Sequence, residues 1–212
     1  MQMQNGSDPR AAFFDARAAN WEANCYPPPV REKLPRLVAS FHLPGGATVL
    51  DMGTGPGTLV PYLLDAVGPS GRVFPFDLSL EMLRQARSKL GPAAPPPVLA
   101  TAMRLPFRDA SFDAVVCFAA FPHFEDKGLA LSEMARVAKS GAQILIAHLL
   151  SRVELLAHHG AHSAVARDAL PEEGRMCDLF QAAGLPDPVI VDAPGRYLAK
   201  CRKLANPSES RP

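Results

Sequence analysis

Between residues 48 and 148, short runs of consecutive apolar residues alternate with stretches in which apolar residues recur every three or four positions. Unbroken apolar runs predict buried strands, and the longer spacing predicts amphipathic helices. The predicted strands are Thr48–Met52, Arg72–Phe76, Val98–Ala100, Phe112–Phe118 and Gln143–His148. The predicted helices are Thr58–Val67, Ser79–Leu90 and Lys127–Ala138. This alternation predicts an α/β fold with a mostly parallel sheet that is covered by helices on both faces.

Further elements are predicted on both sides of this region. Two short helices form an N-terminal cap, and their apolar positions are Phe13, Phe14, Ala18 and Trp21 in the first and Val30, Leu34, Leu37 and Val38 in the second. The predicted elements after residue 150 are helices around Val153–His159 and over Pro171–Ala183, then strands Val189–Val191 and Tyr197–Arg202. A turn at Pro194-Gly195 joins these strands, so the hairpin adds one antiparallel strand to the sheet.

A chain of 212 residues suits one α/β domain. We predict a single domain over residues 11–203, with polar tails at 1–10 and 204–212. Within the domain, residues 11–46 are the helical cap, 47–150 the cofactor-binding core, and 151–203 the helices and hairpin on the substrate side.

The charges are balanced, with 22 Lys and Arg against 21 Asp and Glu. Neither nucleic acid nor an anionic membrane is therefore expected as a partner. The apolar runs are too short to cross a bilayer, and the N-terminus lacks a signal-peptide pattern, so we expect a cytoplasmic protein, monomeric or homodimeric. Four scattered cysteines without a CxxC pair favour neither a zinc site nor a disulfide framework.

The first predicted strand runs into a glycine-rich loop, VLDMGTGPG, over residues 49–57. Glycines allow the backbone to approach a ligand closely and expose amide N–H groups at the start of the next helix, as a nucleotide-like cofactor requires. Asp77 ends the next strand, where its carboxylate can accept hydrogen bonds from ribose hydroxyls.

Two details separate a phosphorylated cofactor from a cationic one. The dinucleotide fingerprint G-x-G-x-x-G requires a glycine at position 58, where this chain has Thr58. Asp51 lies two residues before the loop, and its carboxylate would repel a pyrophosphate but suit an ammonium group. The loop therefore favours a cationic nucleoside.

Four motifs in order, VLDMGTGPG, FDLSLEML, LPFRDASFDAVVC and ALSEMARVAKSGAQILIAH, resemble those of class I methyltransferases. The similarity is greatest to the small-molecule branch that includes the ubiquinone and menaquinone biosynthesis enzymes, and it is strong over about residues 11–150. The resemblance implies a Rossmann-like three-layer fold with a seven-stranded sheet, and S-adenosylmethionine as the cofactor.

The resemblance also implies roles for individual residues. The methionine part of the cofactor would be surrounded by Asp51, Gly53, Thr54, Gly55 and Gly57. Asp77 would bind the ribose, and the adenine would contact Leu78, Met82, Thr101, Ala102 and Met103, with Phe118 completing the cofactor site. Such enzymes usually have an acidic residue before the LPF motif, and the Thr101 hydroxyl is a weaker acceptor than a carboxylate.

Methyl transfer from a sulfonium is a direct displacement, so the enzyme mainly aligns the acceptor and excludes water. A base is needed only where the acceptor must lose a proton. His123 and His148 are the candidate bases, although His123 equally fits a loop residue that hydrogen-bonds the backbone. The candidate substrate-binding residues are Trp21, Tyr26, Phe121 and His158, for which core packing of the aromatic rings is the alternative.

Three functional hypotheses follow. The first is methyl transfer to a small-molecule acceptor that the N-terminal cap covers. The second is a non-catalytic protein that senses cofactor or metal, with His148, His158 and His162 as the metal ligands, although Gly160 would interrupt their helix and we expect no metal. The third is an NAD(P)-dependent oxidoreductase. Such an enzyme is expected to have a Tyr-x-x-x-Lys pair near the fourth strand, and this chain lacks one there.

Overall fold

A computed structural model shows the fold of residues 8–90, 94–160 and 168–205, and the description below concerns these residues. They contain a seven-stranded sheet of order β3-β2-β1-β4-β5-β7-β6. The strands are β1 Thr48–Met52, β2 Arg72–Asp77, β3 Val98–Leu99, β4 Phe112–Phe118, β5 Ala138–His148, β6 Val189–Ala193 and β7 Arg196–Arg202. Strands β1 to β5 pair in parallel, while β7 is antiparallel to both β5 and β6. The predicted fold class, with one antiparallel strand from the C-terminal hairpin, is confirmed.

Nine helices surround this sheet in the described ranges. They are α1 Pro9–Asp15, α2 Ala18–Cys25, α3 Pro28–Arg31, α4 Leu34–Ala39, α5 Val60–Val67, α6 Leu80–Lys89, α7 Lys127–Val137, α8 Arg152–Gly160 and α9 Glu173–Ala182. None of them has the length and apolar run that crossing a bilayer requires.

The N-terminal cap differs from its prediction, because four short helices replace the two expected ones. Proline lacks a backbone N–H and fits only the first turn of a helix, so the prolines near the starts of α3 and α4 divide the second predicted helix. Helix α1 begins at Pro9, inside the predicted tail of residues 1–10. Residues 1–7 and 206–212 of the predicted tails lie outside the described residues.

The sheet is buried on both faces, which is why its strands appear in the sequence as unbroken apolar runs. In β4, Val115 and Cys117 pack into the core on one face, and Ala114 and Val116 into the core on the other. Strand β5 begins five residues earlier than predicted, at Ala138, and its register with β4 shifts before Gln143.

The order of the strands in the sheet determines where a ligand site can lie. Strands β1 and β4 are neighbours, and the chain continues from β1 to β2 on one side and from β4 to β5 on the other. Asp51 in β1 lies opposite Pro75 in β2 and Val116 in β4, so the carboxyl ends of these strands lie side by side. Ligands of open α/β sheets bind in the crevice at such a switch point.

Helices α1 and α2 are attached to α6 by side-chain contacts. Asp15 Oδ1 accepts hydrogen bonds from Ser79 Oγ at 2.5 Å and from the Glu81 amide at 3.1 Å, so it caps the start of α6. Glu22 forms an ion pair with Lys89 at 2.7 Å and accepts a hydrogen bond from Thr58 at 3.2 Å. These contacts hold the cap beside the carboxyl edge of the sheet.

We predict that Asp15→Ala lowers the free energy of unfolding by about 1 kcal/mol, since the Glu81 amide loses its capping acceptor. Urea denaturation measures this change. Asp65→Ala, which removes an exposed carboxylate from α5, is the matched control and is expected to be neutral. Equal losses in the two variants would contradict the assigned contact.

Candidate active site

A cavity of about 930 Å³, including its open mouth, lies at the carboxyl ends of β1, β2 and β4 beneath α1 and α2. The predicted cofactor residues that line it are Asp51, Gly53, Thr54, Gly55, Asp77, Leu78, Met82, Thr101, Ala102, Met103 and Phe118. Of the predicted catalytic and substrate residues, it is lined by His123, Trp21 and Tyr26.

The three loop glycines have positive φ angles but different surroundings. A Cβ on Gly53 would overlap Ala120 Cβ, and one on Gly57 would lie 3.1 Å from Ala86 Cβ of α6. A Cβ on Gly55 would meet nothing within 4 Å. Gly55 therefore presents open backbone to the cavity, whereas Gly57, which does not line it, allows close packing of the loop on α6.

The loop amides are already bound within the protein. Gly53 and Thr54 donate their N–H groups to the Phe76 carbonyl at 2.9 and 2.8 Å. The Gly55 N–H donates to Asp77 Oδ2 at 2.8 Å, and the Gly57 N–H to the Thr54 carbonyl at 3.0 Å. For these four amides the expectation of exposure to a ligand is wrong, because Phe76 and Asp77 of β2 accept three of them and the Thr54 carbonyl accepts the fourth. A phosphate would find these four donors engaged.

Asp51 is a buried carboxyl, 1% exposed, whose Oδ2 accepts a hydrogen bond from Thr54 Oγ1 at 2.6 Å. Burial, aided by the negative charge of Asp77, raises its pKa to about 7. No lysine or arginine of the described residues forms an ion pair with Asp51. A buried carboxylate without a countercharge is costly, and a cationic ligand would relieve that cost.

Asp77 is the second buried carboxyl of the cavity. Its Oδ2 accepts from the Gly55 amide and its Oδ1 from the Ser79 amide at 2.9 Å. Burial outweighs these hydrogen bonds and raises its pKa to about 6. The Leu78 amide also acts on this carboxylate. Since a carboxylate has about four acceptor positions, Asp77 can still accept a hydrogen bond from a ligand hydroxyl.

Thr101 occupies the cavity edge predicted for the adenine. It forms an isolated bridge with Arg104, and its Oγ1 accepts a long hydrogen bond, 3.4 Å, from the Met103 amide. Ala102 beside it is buried. The Thr101 hydroxyl at this edge of the cavity therefore already accepts a hydrogen bond within a turn of the protein.

His123 ends a short 3₁₀ turn, Phe121–His123, that follows β4. Its Nδ1 lies 2.8 Å from Asp168 Oδ2, and its ring makes an edge contact with Phe14 of α1, with 5.3 Å between the centroids. Burial acts to raise the pKa of Asp168, but the hydrogen bond and charge of His123, together with Arg10 and Lys127, outweigh it and lower that pKa. The pairing fixes the orientation of the His123 ring.

Asp168 was not identified from the sequence. It lies 45 residues from His123 and forms part of no local motif, so only the fold brings the two together. Arg10 and Phe14, which also line the cavity, were missed for the same reason.

Besides Gly57, three predicted catalytic or substrate residues lie outside the cavity lining. Phe121 is completely buried in the core, and His158 is exposed on α8. His148 Nδ1 accepts a hydrogen bond from the Leu150 amide at 3.0 Å, and its ring centroid lies 6.4 Å from that of Phe118, outside the cavity lining. His162, the third residue of the alternative metal set, lies outside the described residues. Among those described, no three His, Cys, Asp or Glu side chains are grouped to hold a metal ion.

Sequence comparison matches residues 50–146 to the methyltransferase domain family. The chain is 35% identical over 111 residues to the ubiquinone/menaquinone biosynthesis C-methyltransferase of Burkholderia mallei. That alignment covers 51% of this chain and 46% of the relative, so the chain matches about half the length of the curated relatives.

Structural comparison supports the same fold. One similar structure is a chain in the complex of the Haloferax volcanii Trm112 methyltransferase activator with its methyltransferase, with a TM-score of 0.72, 23% identity, and coverage of 90% of this chain and 97% of that one. Another is a SAM-dependent methyltransferase from Aquifex aeolicus, with a TM-score of 0.68, 20% identity, and coverage of 92% and 98%. The predicted resemblance to class I methyltransferases is confirmed, and S-adenosylmethionine is the cofactor that these comparisons support.

The loop glycines give a stability test. We expect Gly55→Ala to lower the free energy of unfolding by about 1–2 kcal/mol, the cost of a positive φ alone. Gly53→Ala should cost about 3 kcal/mol or more, because its Cβ also overlaps Ala120. Urea denaturation measures the free energy of unfolding of both variants. Adding Ala120→Gly to Gly53→Ala should restore the part of that free energy lost to the overlap with Ala120. Equal costs for the two single variants would contradict the assigned packing.

Proposed function

We propose that this chain, which has the class I methyltransferase fold and a methyltransferase domain over residues 50–146, transfers a methyl group from S-adenosylmethionine to a small-molecule acceptor in the cavity. The observation that carries the proposal is the pair of buried carboxyls, Asp51 and Asp77, beside the open backbone of Gly55. The ammonium of the methionine part suits Asp51, and the ribose hydroxyls suit the remaining acceptor positions of Asp77.

This arrangement fits a cationic nucleoside better than a dinucleotide. A pyrophosphate requires free N–H donors at the glycine loop, and those of residues 53, 54, 55 and 57 already have acceptors within the protein. A pyrophosphate would also lie close to the Asp51 carboxylate, at a Coulombic cost. The electrostatics of the loop therefore favour the methyltransferase over the oxidoreductase hypothesis.

When bound, S-adenosylmethionine supplies a methyl group on a positively charged sulfur, which leaves as a neutral thioether. The protein positions the acceptor and excludes water. Trp21 and Tyr26 of the cap and Phe118 of β4 supply apolar walls, with Tyr26 and Phe118 centroids 5.8 Å apart. Such walls keep water from the reacting atoms.

His123 is the proposed base for an acceptor that must lose a proton. Asp168 holds Nδ1, so the proton of the acceptor goes to Nε2 as the methyl group is transferred. The imidazolium that forms is stabilised by the Asp168 carboxylate at 2.8 Å. In this arrangement Asp168 is a positioning residue, since it acts through His123.

The affinity for S-adenosylmethionine should depend on pH. Only the ionised form of Asp51 attracts the ammonium, so affinity should rise as pH increases through its pKa of about 7. Below that pKa, the affinity for S-adenosylmethionine should rise about tenfold per pH unit, because binding releases one proton from Asp51. Above about pH 8 the amino group of the ligand loses its own charge, so the rise should end there. Isothermal titration calorimetry measures the affinity, and buffers of different ionisation enthalpy reveal the released proton.

The matched variant for this test is Asp51→Asn. We expect it to bind S-adenosylmethionine about tenfold to hundredfold more weakly, with the rise between about pH 6 and 7 largely removed. Absence of binding by the unmodified protein at millimolar ligand, or an unchanged pH profile in the variant, would refute the proposed cofactor site.

We expect His123→Asn to lower kcat about 100-fold or more for an acceptor that loses a proton, while the affinity for S-adenosylmethionine stays unchanged. The measurement is the rate of S-adenosylhomocysteine formation with the acceptor found by screening small molecules. His42→Asn is the control, since His42 is exposed and distant in the fold from the cavity lining, and Asn tolerates its positive φ. Full activity of His123→Asn would exclude His123 as the base.

A further inference from the structure

Arg10 of α1 brings a positively charged group to the cavity wall that the proposed cofactor contacts do not use. Its side chain is 37% exposed as a whole, but the Nη1 atom is buried and has no hydrogen-bond acceptor among the described residues. Its Nη2 lies 3.7 Å from Asp168 Oδ1, which is an ion-pair distance too long for a hydrogen bond. A buried guanidinium donor without an acceptor is costly unless a ligand supplies one.

Arg10 and the candidate base share one carboxylate. Asp168 Oδ2 contacts His123 Nδ1 at 2.8 Å, and Asp168 Oδ1 faces Arg10. Because His123 and Arg10 both line the cavity, a ligand that spans the space between them can present its reacting atom to His123 and an anionic oxygen to Arg10. This proximity links the proton-accepting residue to a group that recognises oxygen anions.

The charges around this end of the cavity favour an anion. Arg10 and Lys127 both act electrostatically on Asp168, and two cations face one buried carboxylate. Lys127 Nζ donates to the carbonyls of Pro122 and Phe124 at 2.9 and 3.1 Å, so it is held in place by the backbone. Asp8 and Glu125 also line the cavity, but both are exposed, where water screens their charge.

The walls near Arg10 are aromatic. Phe14 contacts both His123 and Trp21, with centroid separations of 5.3 and 5.5 Å, and Phe124, which directly follows the 3₁₀ turn, also lines the cavity. Flat aromatic surfaces suit a planar ligand.

We propose that the acceptor is a small planar acid, whose anionic oxygen binds Arg10 while the atom to be methylated lies beside His123. The inference rests on the proposed function and adds the chemical class of the acceptor. A carboxylate is the simplest source of the anionic oxygen, and an ionised phenol offers the same chemistry. In both cases Arg10 binds the acceptor through the Nη1 donor and takes no proton.

Binding of simple probes tests this inference. Benzoate and benzamide are titrated into the protein near neutral pH, and para-cyanophenol is titrated both there and at a pH above its own pKa, where it is ionised. Each titration is made with and without saturating S-adenosylhomocysteine, and binding is followed by ligand NMR. Benzoate should bind about tenfold more tightly than benzamide, the neutral planar analogue, because only benzoate gives a charge-assisted hydrogen bond. If ionised para-cyanophenol, rather than benzoate, binds more tightly than benzamide and Arg10→Gln removes that difference, the anion is a phenolate and the inference is also supported.

Arg10→Gln should reduce the preference for the anionic probe to less than about threefold. Arg36→Gln removes the same charge from the exposed surface of α4 and should leave the preference intact. Arg10→Lys keeps the positive charge but not the planar set of N–H donors of the guanidinium, so it should retain part of the preference for the anionic probe. Melting curves of all variants show that they are folded.

Benzamide binding as tightly as benzoate, a preference that survives in Arg10→Gln, or no anionic probe bound at millimolar concentration would overturn the inference. Failure of S-adenosylhomocysteine to bind is a separate outcome that contradicts the proposed function, because the probe titrations are also made without it.

Discussion

The main electrostatic constraint on this fold is the burial of two carboxyls, Asp51 and Asp77, at the ends of adjacent strands. Folding raises both pKa values above the ordinary 3.8, to about 7 and about 6. Their contribution to the stability of the unliganded fold is therefore fully present below about pH 4 and is lost progressively as pH rises to about 6 to 7. A bound cation restores it at neutral pH, so ligand binding and stability are coupled through the same two groups.

The surrounding structure is arranged around these carboxyls. The glycine loop turns back onto β2 so that its amides meet the Phe76 carbonyl and Asp77, which leaves the open backbone of Gly55 toward the cavity. Ser79 donates its amide to Asp77 and its hydroxyl to Asp15 of α1. One short chain of hydrogen bonds thus connects the proposed ribose site to the cap helices, so the position of the cap depends on the proposed cofactor-binding residues.

The sequence predicted β1 and β4 closely because strands buried on both faces appear as apolar runs, and glycine or polar residues help to bound them: Gly53 follows β1 and Ser111 precedes β4. It predicted Asp51 and Asp77 because their positions relative to the loop are local. It did not predict where the loop amides bind, since the acceptor at Phe76 depends on strand pairing. Nor did it find Asp168 or Arg10, which reach His123 only through contacts between distant segments, and it assigned Phe121 and His148 to the acceptor from strand-end position alone.

The proposed acceptor end of the cavity differs in its chemistry from the proposed cofactor end. Arg10, His123 and Asp168 lie at the first, and the buried carboxyls of Asp51 and Asp77 at the second. The most direct test of the account is a crystal structure of the protein with S-adenosylhomocysteine. The account predicts density with the amino group within hydrogen-bond distance of Asp51 and both ribose hydroxyls on Asp77, beside Gly55. Density that leaves Asp51 without a ligand contact, or a phosphate group at the glycine loop, would contradict it.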